Sequence, residues 1–309
     1  MKDSRINPDP DARPVFPPNI VIQVKALACE LPYEIGVPLS RFSSKEIVAE
    51  VIRRGIVAQI SGSTVWRWLN EDAIKPWRHR SWIFPRDPHF EEKAARVLDL
   101  YHGFWQGLAL KSGEFVICAD EKTSIQARHR KHRTLGARAG QCAKVEHEYE
   151  RLGALNYIAA WDVQHGKLTG RCEAKSGIKS FDRLVNDVMT KEPYASAKRV
   201  FWIVDNGSSH RGRKAVDRLQ STWPKLVLVH LPVHASWLNQ IEIYFSILQR
   251  KVLTPNDFSS LDELAQTIIE FQARYEKNAK PFEWKFTKED LSKTMRKITE
   301  RSASLLQAA

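Results

Sequence analysis

Three stretches of the sequence decide the fold, namely FVICAD at residues 115–120, VFWIVDN at residues 200–206 and HASWLNQIEIYFSIL at residues 234–248. In the first two stretches a short apolar run leads into an acid, Asp120 or Asp205. Short apolar runs bounded by polar residues predict buried β-strands. In the third stretch the apolar residues recur at helical spacing, which predicts an amphipathic helix carrying Glu242. The sequence thus places three carboxylates on three separate elements.

The spacing of these acids predicts a site that only the fold can assemble. They are separated by 205 − 120 = 85 and 242 − 205 = 37 positions, too far apart for a local metal-binding loop. Hard divalent cations prefer oxygen ligands, and two such ions about 4 Å apart can activate an attacking oxygen and stabilise a leaving one. Two Mg²⁺ ions, with Mn²⁺ as a possible substitute, are therefore the expected cofactors. The alternative is that the acids are ordinary strand-end and solvated helix residues.

The motifs around the acids resemble those of one family. ADEKTSIQAR at 119–128, VDNGSSHRG at 204–212 and LPVHASWLNQIEIYFSILQRKVL at 231–253 resemble the DDE transposases of bacterial insertion sequences in the mariner superfamily. Position by position, the catalytic acids of that family fall on Asp120, Asp205 and Glu242. The resemblance implies a ribonuclease H-like fold, metal-dependent cleavage at the element's ends and strand transfer into a new site. It also implies that Asp120 bridges both metals.

The order of apolar runs predicts an α/β catalytic domain over residues 113–256. The domain is expected to be ribonuclease H-like, a mixed five-stranded sheet with flanking helices. Asp162, at the end of the second predicted strand, is assigned to the turn that follows it rather than to the site. The predicted strands lie at 115–119, 154–163, 168–174, 200–204 and 226–232, with a hairpin turn at 164–166 and helices at about 180–190 and 210–220.

A small all-α helix-turn-helix domain is predicted ahead of the catalytic domain, over residues 20–74. Serine caps and apolar spacing predict one helix from Ser43 and a second from the SGSTVWRWLNE segment. Ser63, Thr64 and Arg67 on the second helix are candidate DNA contacts. Val65, Trp66 and Leu69 are expected in its core. A plain helical hairpin is the alternative, and residues 1–19, with five prolines, are predicted to be a disordered tail.

A basic linker and a helix are predicted over residues 75–112. The stretch KPWRHRSWIFPR interleaves cations with aromatic residues, which favours contact with a DNA backbone, although its tryptophans could instead dock on the protein. A helix is expected at about 89–106, and residues 128–151 are expected to form a basic loop near the active site. Lysine and arginine candidates for phosphate contacts are Lys75, Arg78, Arg80, Arg86 and Lys122.

Polar and aromatic residues near the acids are predicted to support the site. Asn206 and His210 are expected at a helix start, where backbone amides receive a phosphate or are capped. Asn239, one turn before Glu242, is expected to share its face, and Trp237 either stacks on a base or belongs to the core. Glu121 is expected to point away from the metals. Residues 257–309 are predicted to form a C-terminal helical extension.

The composition favours a nucleic-acid partner. Lysine and arginine number 48 against 36 aspartates and glutamates, a net charge of +12. The expected partners are double-stranded DNA, both element terminal repeats and target, and a second copy of the chain on that DNA. No stretch has the length of a signal peptide core or a membrane span, and no CxxC pair occurs, so a cytoplasmic, nucleoid-associated protein with reduced thiols is expected.

Two functions compete on the sequence alone. The first is a transposase that cuts and joins DNA by two-metal-ion phosphoryl transfer. The second is a catalytically idle DNA-binding remnant that represses transposition or competes with it. A ribonuclease on the same fold is disfavoured by the predicted helix-turn-helix and by the three motifs.

Overall fold

The computed structural model describes residues 16–79 and 85–307, which form two compact units. The first unit comprises the described residues up to His79, and the second comprises those from Pro85 onward. Each unit has a hydrophobic core of its own. Within the described residues, no helix is both long and apolar enough to cross a membrane.

The first unit consists of three α-helices and one short 3-10 helix. At the start of the second α-helix the Ser43 hydroxyl accepts a hydrogen bond from the Glu46 amide, and the Glu46 carboxylate accepts one from the Ser43 amide. This capping box satisfies two amides that would otherwise lack acceptors. Both helices predicted for the helix-turn-helix pair are present. The elements are α1 (Pro18–Cys29), the 3-10 helix (Pro32–Ile35), α2 (Ser44–Arg53) and α3 (Gly62–Glu71).

Helix α1 begins inside the segment predicted to be a disordered tail. The predicted tail extends to residue 19, whereas α1 starts at Pro18. Proline is tolerated in the first turn of a helix, because the amide that it lacks has no intrahelical acceptor there. Prolines at this point therefore mark a helix start. Residues 1–15 of the predicted tail lie outside the described residues.

The core of the first unit corrects the assignment of one tryptophan. Val65 and Leu69 are buried as predicted, but Trp66 is 52% exposed and Trp68 takes its place in the core. Residues 65, 68 and 69 share one helical face, while residue 66 lies about 100° away from residue 65. Trp68 also packs edge to face against Phe16, with 5.3 Å between ring centroids.

A buried carboxylate stabilises the end of α2. The Glu50 side chain accepts hydrogen bonds from Arg53 at 2.5 and 2.7 Å and from Arg54 at 2.8 Å. These bonds, the one from Arg53 foremost, lower the pKa of Glu50 to about 2. A carboxyl group whose pKa is lower in the folded than in the unfolded state stabilises the fold above its ordinary pKa near 4.5. That contribution is lost as the pH falls toward 2.

We predict that Glu50→Gln destabilises the first unit by roughly 1–3 kcal/mol at pH 7, the usual cost of removing a buried hydrogen-bonded charge. Lowering the pH from about 5 to 2 should also destabilise the variant less than the natural protein, because the variant has no Glu50 carboxylate to protonate. Urea unfolding followed by the ¹⁹F NMR signal of fluorotryptophan at Trp68 measures both effects. Glu71→Gln, at an exposed ion pair with Lys25, is the control and should change stability little. Equal stability of the two variants would contradict the stabilising role of the buried Glu50 carboxylate.

The second unit is a five-stranded mixed sheet covered by helices on both faces. The strands lie in the order β5-β4-β3-β6-β7, with β3 antiparallel to β4 and parallel to β6. The predicted mixed sheet with flanking helices is therefore present. Its elements are α4 (Phe90–Tyr101), the hairpin strands β1 (Phe104–Trp105) and β2 (Leu108–Ala109), β3 (Glu114–His129), β4 (Glu150–Asp162), β5 (Leu168–Glu173), α5 (Ile178–Met189), β6 (Arg199–Val204), α6 (Arg213–Thr222), β7 (Leu226–His230), α7 (Ile241–Lys251), α8 (Leu261–Glu276) and α9 (Lys288–Gln307).

The two faces of the sheet carry different helices. Residues of α4, α7, α8 and α9 pack against one face, and residues of α5 and α6 pack against the other. Helices α8 and α9 lie in the predicted C-terminal helical extension, and they pack on the main core through Leu264, Ile268 and Leu291. In the segment between these helices, Phe282 stacks on Trp161 of β4 with 4.5 Å between ring centroids. The sequence pattern identified these helices but could not identify the surface that they cover.

The helix predicted at about 89–106 is shorter than expected. It ends at Tyr101, and Phe104 and Trp105 form the first strand of a hairpin. Gly103, with φ of 79°, ends the helix, because this conformation is unfavourable for residues with a Cβ atom. Trp105 packs on Phe201 of β6, with 4.7 Å between ring centroids. The aromatic spacing was correct for burial of Trp105 but wrong for its secondary structure.

Strands β3 and β4 extend well beyond their predicted ends. Of the basic stretch expected to form a loop over 128–151, residues 130–149 do form the connection between β3 and β4, and we call them the ribbon. Isolated backbone bridges between Leu135 and Lys144 and between Arg138 and Gln141 join its two arms. The pairing of β3 with β4 is irregular between Lys122 and Ile125 and between Gln126 and Arg128, which breaks the strand alternation and explains why periodicity did not reveal the longer strands.

Candidate active site

The pairing of β3 with β6 brings the first two acids together. Cys118 pairs with Ile203 in this parallel ladder, and two residues further along each chain come Asp120 and Asp205. Asp205 follows the end of β6 as predicted. Asp120 lies within β3 rather than after it, because the strand continues to His129. The first two acids are therefore positioned by backbone hydrogen bonds of the sheet.

The third acid is positioned by a turn that is fastened to β3. Glu242 lies in the first turn of α7, and Asn239 lies just ahead of that helix. The fully buried Asn239 side-chain amide donates hydrogen bonds to the Ala119 carbonyl at 3.0 Å and to Asp120 Oδ2 at 3.3 Å. Asn239 thus contacts the strand that carries Asp120, although it precedes α7 and does not lie one turn before Glu242 on that helix. Its Oδ1 atom is buried and has no partner among the described residues.

A tyrosine from α4 holds the same turn, a role that sequence analysis missed. The Tyr101 hydroxyl donates to the Leu238 carbonyl at 2.6 Å and lies 3.4 Å from the Gln240 amide, which donates to it. Helical spacing had suggested only a packing role for Tyr101. A tyrosine at a core position commonly finds a hydrogen-bond partner for its hydroxyl, but that partner is 137 positions away in sequence.

The three acids influence one another electrostatically. Burial, together with the charges of Asp205 and Glu242, raises the pKa of Asp120 to about 7. Partial burial also raises the pKa of Glu242, while the nearby positive charge of Lys122 acts in the opposite direction. The pKa of Asp205 is lowered, chiefly by its hydrogen bond with His210. The site is thus a cluster of negative charge around Asp120.

A buried histidine orients Asp205. His210 Nε2 lies 2.5 Å from Asp205 Oδ1, which also accepts a hydrogen bond from the Gly207 amide at 2.8 Å. His210 Nδ1 lies 3.0 Å from the Ser209 hydroxyl, which in turn donates to Glu121 at 3.3 Å. A Cβ atom at Gly207 would lie 2.9 Å from Asp205 Oδ1, so a side chain here would displace that carboxylate. The Glu121 carboxylate belongs to this network, whereas its backbone amide donates to Asp120 Oδ1 at 2.7 Å.

The residues after Asp205 form a turn rather than the predicted helix start. Helix α6 begins at Arg213, with Gly212 as its N-cap, so residues 206–210 precede the helix. The Asn206 side chain donates to the Leu231 carbonyl at 2.8 Å, and this bond joins the ends of β6 and β7. The expectation that Asn206 and His210 lie at a helix start is therefore wrong, while a phosphate contact at this turn stays a prediction. Their side chains support Asp205 and the strand ends instead.

The other predicted contacts are mostly exposed. Trp237 is 37% exposed and packs edge to face on Phe286, at 5.3 Å between ring centroids, so its stacking on a base stays a prediction. In α3 the Ser63 and Thr64 hydroxyls lie 2.9 and 2.8 Å from that of the N-cap residue Ser61. Arg80 lies outside the described residues. The candidate cations at the surface, whose DNA contacts also stay predictions, are Arg67, Lys75, Arg78 and Arg86.

Asp162 has the turn role assigned to it from the sequence. Its buried carboxylate accepts hydrogen bonds from the Gln164 amide at 2.9 Å, the His165 amide at 3.0 Å and the Tyr194 hydroxyl at 2.8 Å. These bonds close the hairpin between β4 and β5.

We expect Asp162→Asn to lower the free energy of unfolding of the second unit by roughly 1–3 kcal/mol, because a buried charged acceptor is replaced by a neutral one. Urea denaturation measured by circular dichroism tests this. Asp217→Asn, at an exposed and long ion pair with Arg213 on α6, is the matched control and should have little effect. A fully stable Asp162→Asn protein would rule out this turn role.

Comparison with known proteins shows what the second unit, and then the chain, is similar to. Residues 115–265 match the DDE superfamily endonuclease family. The chain is 24% identical over 259 residues to the "insertion element IS630 uncharacterized 39 kDa protein" of Shigella sonnei, covering 82% of this chain and 70% of that protein. The predicted resemblance to DDE transposases of the mariner type is thereby confirmed.

Solved structures support the same fold. The Mos1 mariner paired end complex with Mn matches with a TM-score of 0.53 and 17% identity, covering 94% of this chain and 79% of that one. The mariner Mos1 paired end complex with Mg matches with a TM-score of 0.53 and 15% identity, covering 97% and 83%. The predicted ribonuclease H-like fold, preceded by helices, is confirmed by this likeness.

Proposed function

We propose that this protein is a DNA transposase that cleaves the ends of an insertion sequence and joins them to target DNA by two-metal-ion phosphoryl transfer. The observation that carries the proposal is the gathering of Asp120, Asp205 and Glu242, from two strands and a helix, into one cluster of negative charge. The endonuclease family match over residues 115–265 supports it. So do the structural neighbours, which are complexes of a transposase with paired transposon ends.

The donor set fits divalent metal ions that are shared with a substrate. Among the described residues, no group of three or more histidine, cysteine, aspartate or glutamate side chains is arranged to hold a metal ion as it stands. Mg²⁺, however, commonly takes only one or two protein carboxylates and completes its shell with water and substrate phosphate. We assign Asp120 to both ions, Asp205 to one and Glu242 to the other. Burial, and after it the charges of Asp205 and Glu242, raise the pKa of Asp120, and a bound cation would favour its ionised form.

The residues of the chain have distinct tasks in this proposal. When bound, the metal ions would activate the attacking oxygen and stabilise the leaving one. His210 holds Asp205 in position through its 2.5 Å contact, and Asn239 does the same for Asp120. Lys122, two residues after Asp120, contacts the scissile phosphate. Held in place before substrate arrives, these groups reduce the reorganisation needed during the reaction.

DNA recognition is assigned to the first unit and the linker. Ser63, Thr64 and Arg67 on α3 would contact base edges or phosphates in a major groove, as in other helix-turn-helix proteins. Lys75, Arg78, Arg80 and Arg86 would contact the DNA backbone. Because two element ends must be joined to one target, the protein would act as a homodimer on DNA. It would do so in the cytoplasm, at the nucleoid.

We predict that the protein cleaves DNA carrying the ends of the element that encodes it, in the presence of Mg²⁺ or Mn²⁺. Asp120→Asn, Asp205→Asn and Glu242→Gln should each lower the cleavage rate roughly 10²-fold or more, since a metal ion contributes several kcal/mol to such a transition state. DNA affinity without metal should be unchanged. Gel-based cleavage and fluorescence-anisotropy binding assays measure the two quantities, with Asp217→Asn on α6 as a control that should cleave normally.

A metal-dependent thermal shift provides a second readout that does not depend on catalysis. Mn²⁺ should raise the melting temperature of the natural protein and not that of Asp120→Asn. Binding of the element ends without cleavage under either metal would overturn the transposase proposal in favour of the idle DNA-binding remnant.

A further inference from the structure

A groove of about 630 Å³ lies beside the candidate active site, and of its lining only Lys122 has been assigned a role so far. It runs between the outer part of β3 and the chain that follows α7. Its lining includes Lys122 at one end and Arg128 and Arg130 further along the strand, with Tyr149 of the ribbon. A volume of this size accommodates a nucleotide-sized group.

The walls of the groove are held in place by hydrogen bonds. The Asn256 side chain accepts from the Arg128 amide at 2.9 Å and donates to the Gln126 carbonyl at 2.7 Å. The Phe258 amide donates to the Arg128 carbonyl at 2.7 Å. The chain leaving α7 is therefore fastened to β3. Since α7 also carries Glu242, the groove is rigidly connected to two of the elements that carry the acids.

Arg128 has unused hydrogen-bonding capacity inside this groove. Its guanidinium lies 4.6 Å from the centroid of the Tyr149 ring, a cation–π contact that holds the side chain in place. Its Nε is buried and has no hydrogen-bond partner in the part of the chain that the structure describes. Arg130, by contrast, donates to the carbonyls of Asn256 and Glu146. A buried unpaired donor is costly, so the site favours an acceptor supplied by a ligand.

The groove opens toward the acids through Lys122. This lysine lies two residues from Asp120 on β3, and its charge opposes the rise in the pKa of Glu242 that burial causes, so it is near both elements of the site. The phosphate backbone of a DNA strand that lies across the acids would therefore continue past Lys122 toward Arg128. The planar guanidinium fork of arginine matches the geometry of a phosphate.

We propose that this groove is a second phosphate subsite, in which Arg128, held by Tyr149, contacts a backbone phosphate of the DNA strand that lies across the acids. The subsite rests on the proposed function, because it takes the same DNA strand. Arg128 is a positioning residue here, since it fixes the strand and takes no part in the chemical step.

Binding measurements with charge-neutral phosphates test the subsite directly. The probes are duplexes of an element end in which single phosphates near the scissile position are replaced, one at a time, by methylphosphonate. In the absence of metal, Arg128→Gln should weaken binding of the unmodified duplex about tenfold and reduce the salt dependence of log Kd by about one unit. One methylphosphonate position should weaken binding by the natural protein and leave binding by Arg128→Gln unchanged.

Matched variants separate this effect from loss of charge or of folding. Arg274→Gln removes an equal charge from the exposed surface of α8. Each methylphosphonate should weaken DNA binding by this variant as much as it weakens binding by the natural protein. Arg128→Lys keeps the charge without the fork and should restore binding only in part, and Tyr149→Phe keeps the ring and should bind normally. Tyr149→Leu removes the ring and should behave like a weaker form of Arg128→Gln. Circular dichroism confirms that each variant is folded.

The outcomes distinguish this inference from the proposed function. If the natural protein cleaves element ends while Arg128→Gln and Arg274→Gln respond alike to every methylphosphonate, the subsite is refuted and the transposase stands. If no methylphosphonate position affects the natural protein, the subsite is likewise refuted. Failure of the natural protein to cleave, with the selective insensitivity of Arg128→Gln still observed, would refute the transposase and retain a DNA phosphate subsite.

Discussion

The parallel pairing of β3 with β6 is the interaction on which the rest of the second unit depends. Its register brings Asp120 level with Asp205 across neighbouring strands, and its side chains alternate between the two hydrophobic layers. A shift of one residue would exchange the buried sets of side chains between the two layers and turn Asp120 to the opposite face. The burial of the sheet by helices on both sides therefore fixes the positions of the acids as well as the stability of the fold.

Buried hydrogen bonds then hold the acids and the start of α7 in fixed positions. Asn239 joins the start of α7 to the strand at Asp120, Tyr101 holds the turn before that helix, and His210 orients Asp205. Each contact joins elements far apart in sequence and satisfies a group that would be costly to bury alone. Burial and, to a smaller extent, repulsion between the carboxylates raise the pKa of Asp120, and a divalent cation would offset both effects.

The same arrangement explains why the groove beside the acids is rigid. The chain after α7 returns to β3 through Asn256 and Phe258, so the helix with Glu242 and the strand with Asp120 share one wall. The ribbon connects β3 to β4, and its Tyr149 ring holds the Arg128 side chain. Because β3 is long, the positively charged surface extends along it away from the acids.

The sequence by itself determined the five strand cores, the capped helices α2 and α3, the three acids and the turn role of Asp162, because periodicity, caps and turn residues are local signals. Only the tertiary structure decided that Trp68 replaces Trp66 in the core, that α8 and α9 cover the sheet, and that α6 begins after the turn containing His210. It alone also decided which groups Tyr101, Asn239 and Arg128 contact. The physical reason is that a local pattern states whether a side chain is to be buried, whereas its partner is set by strand register and by packing between distant segments.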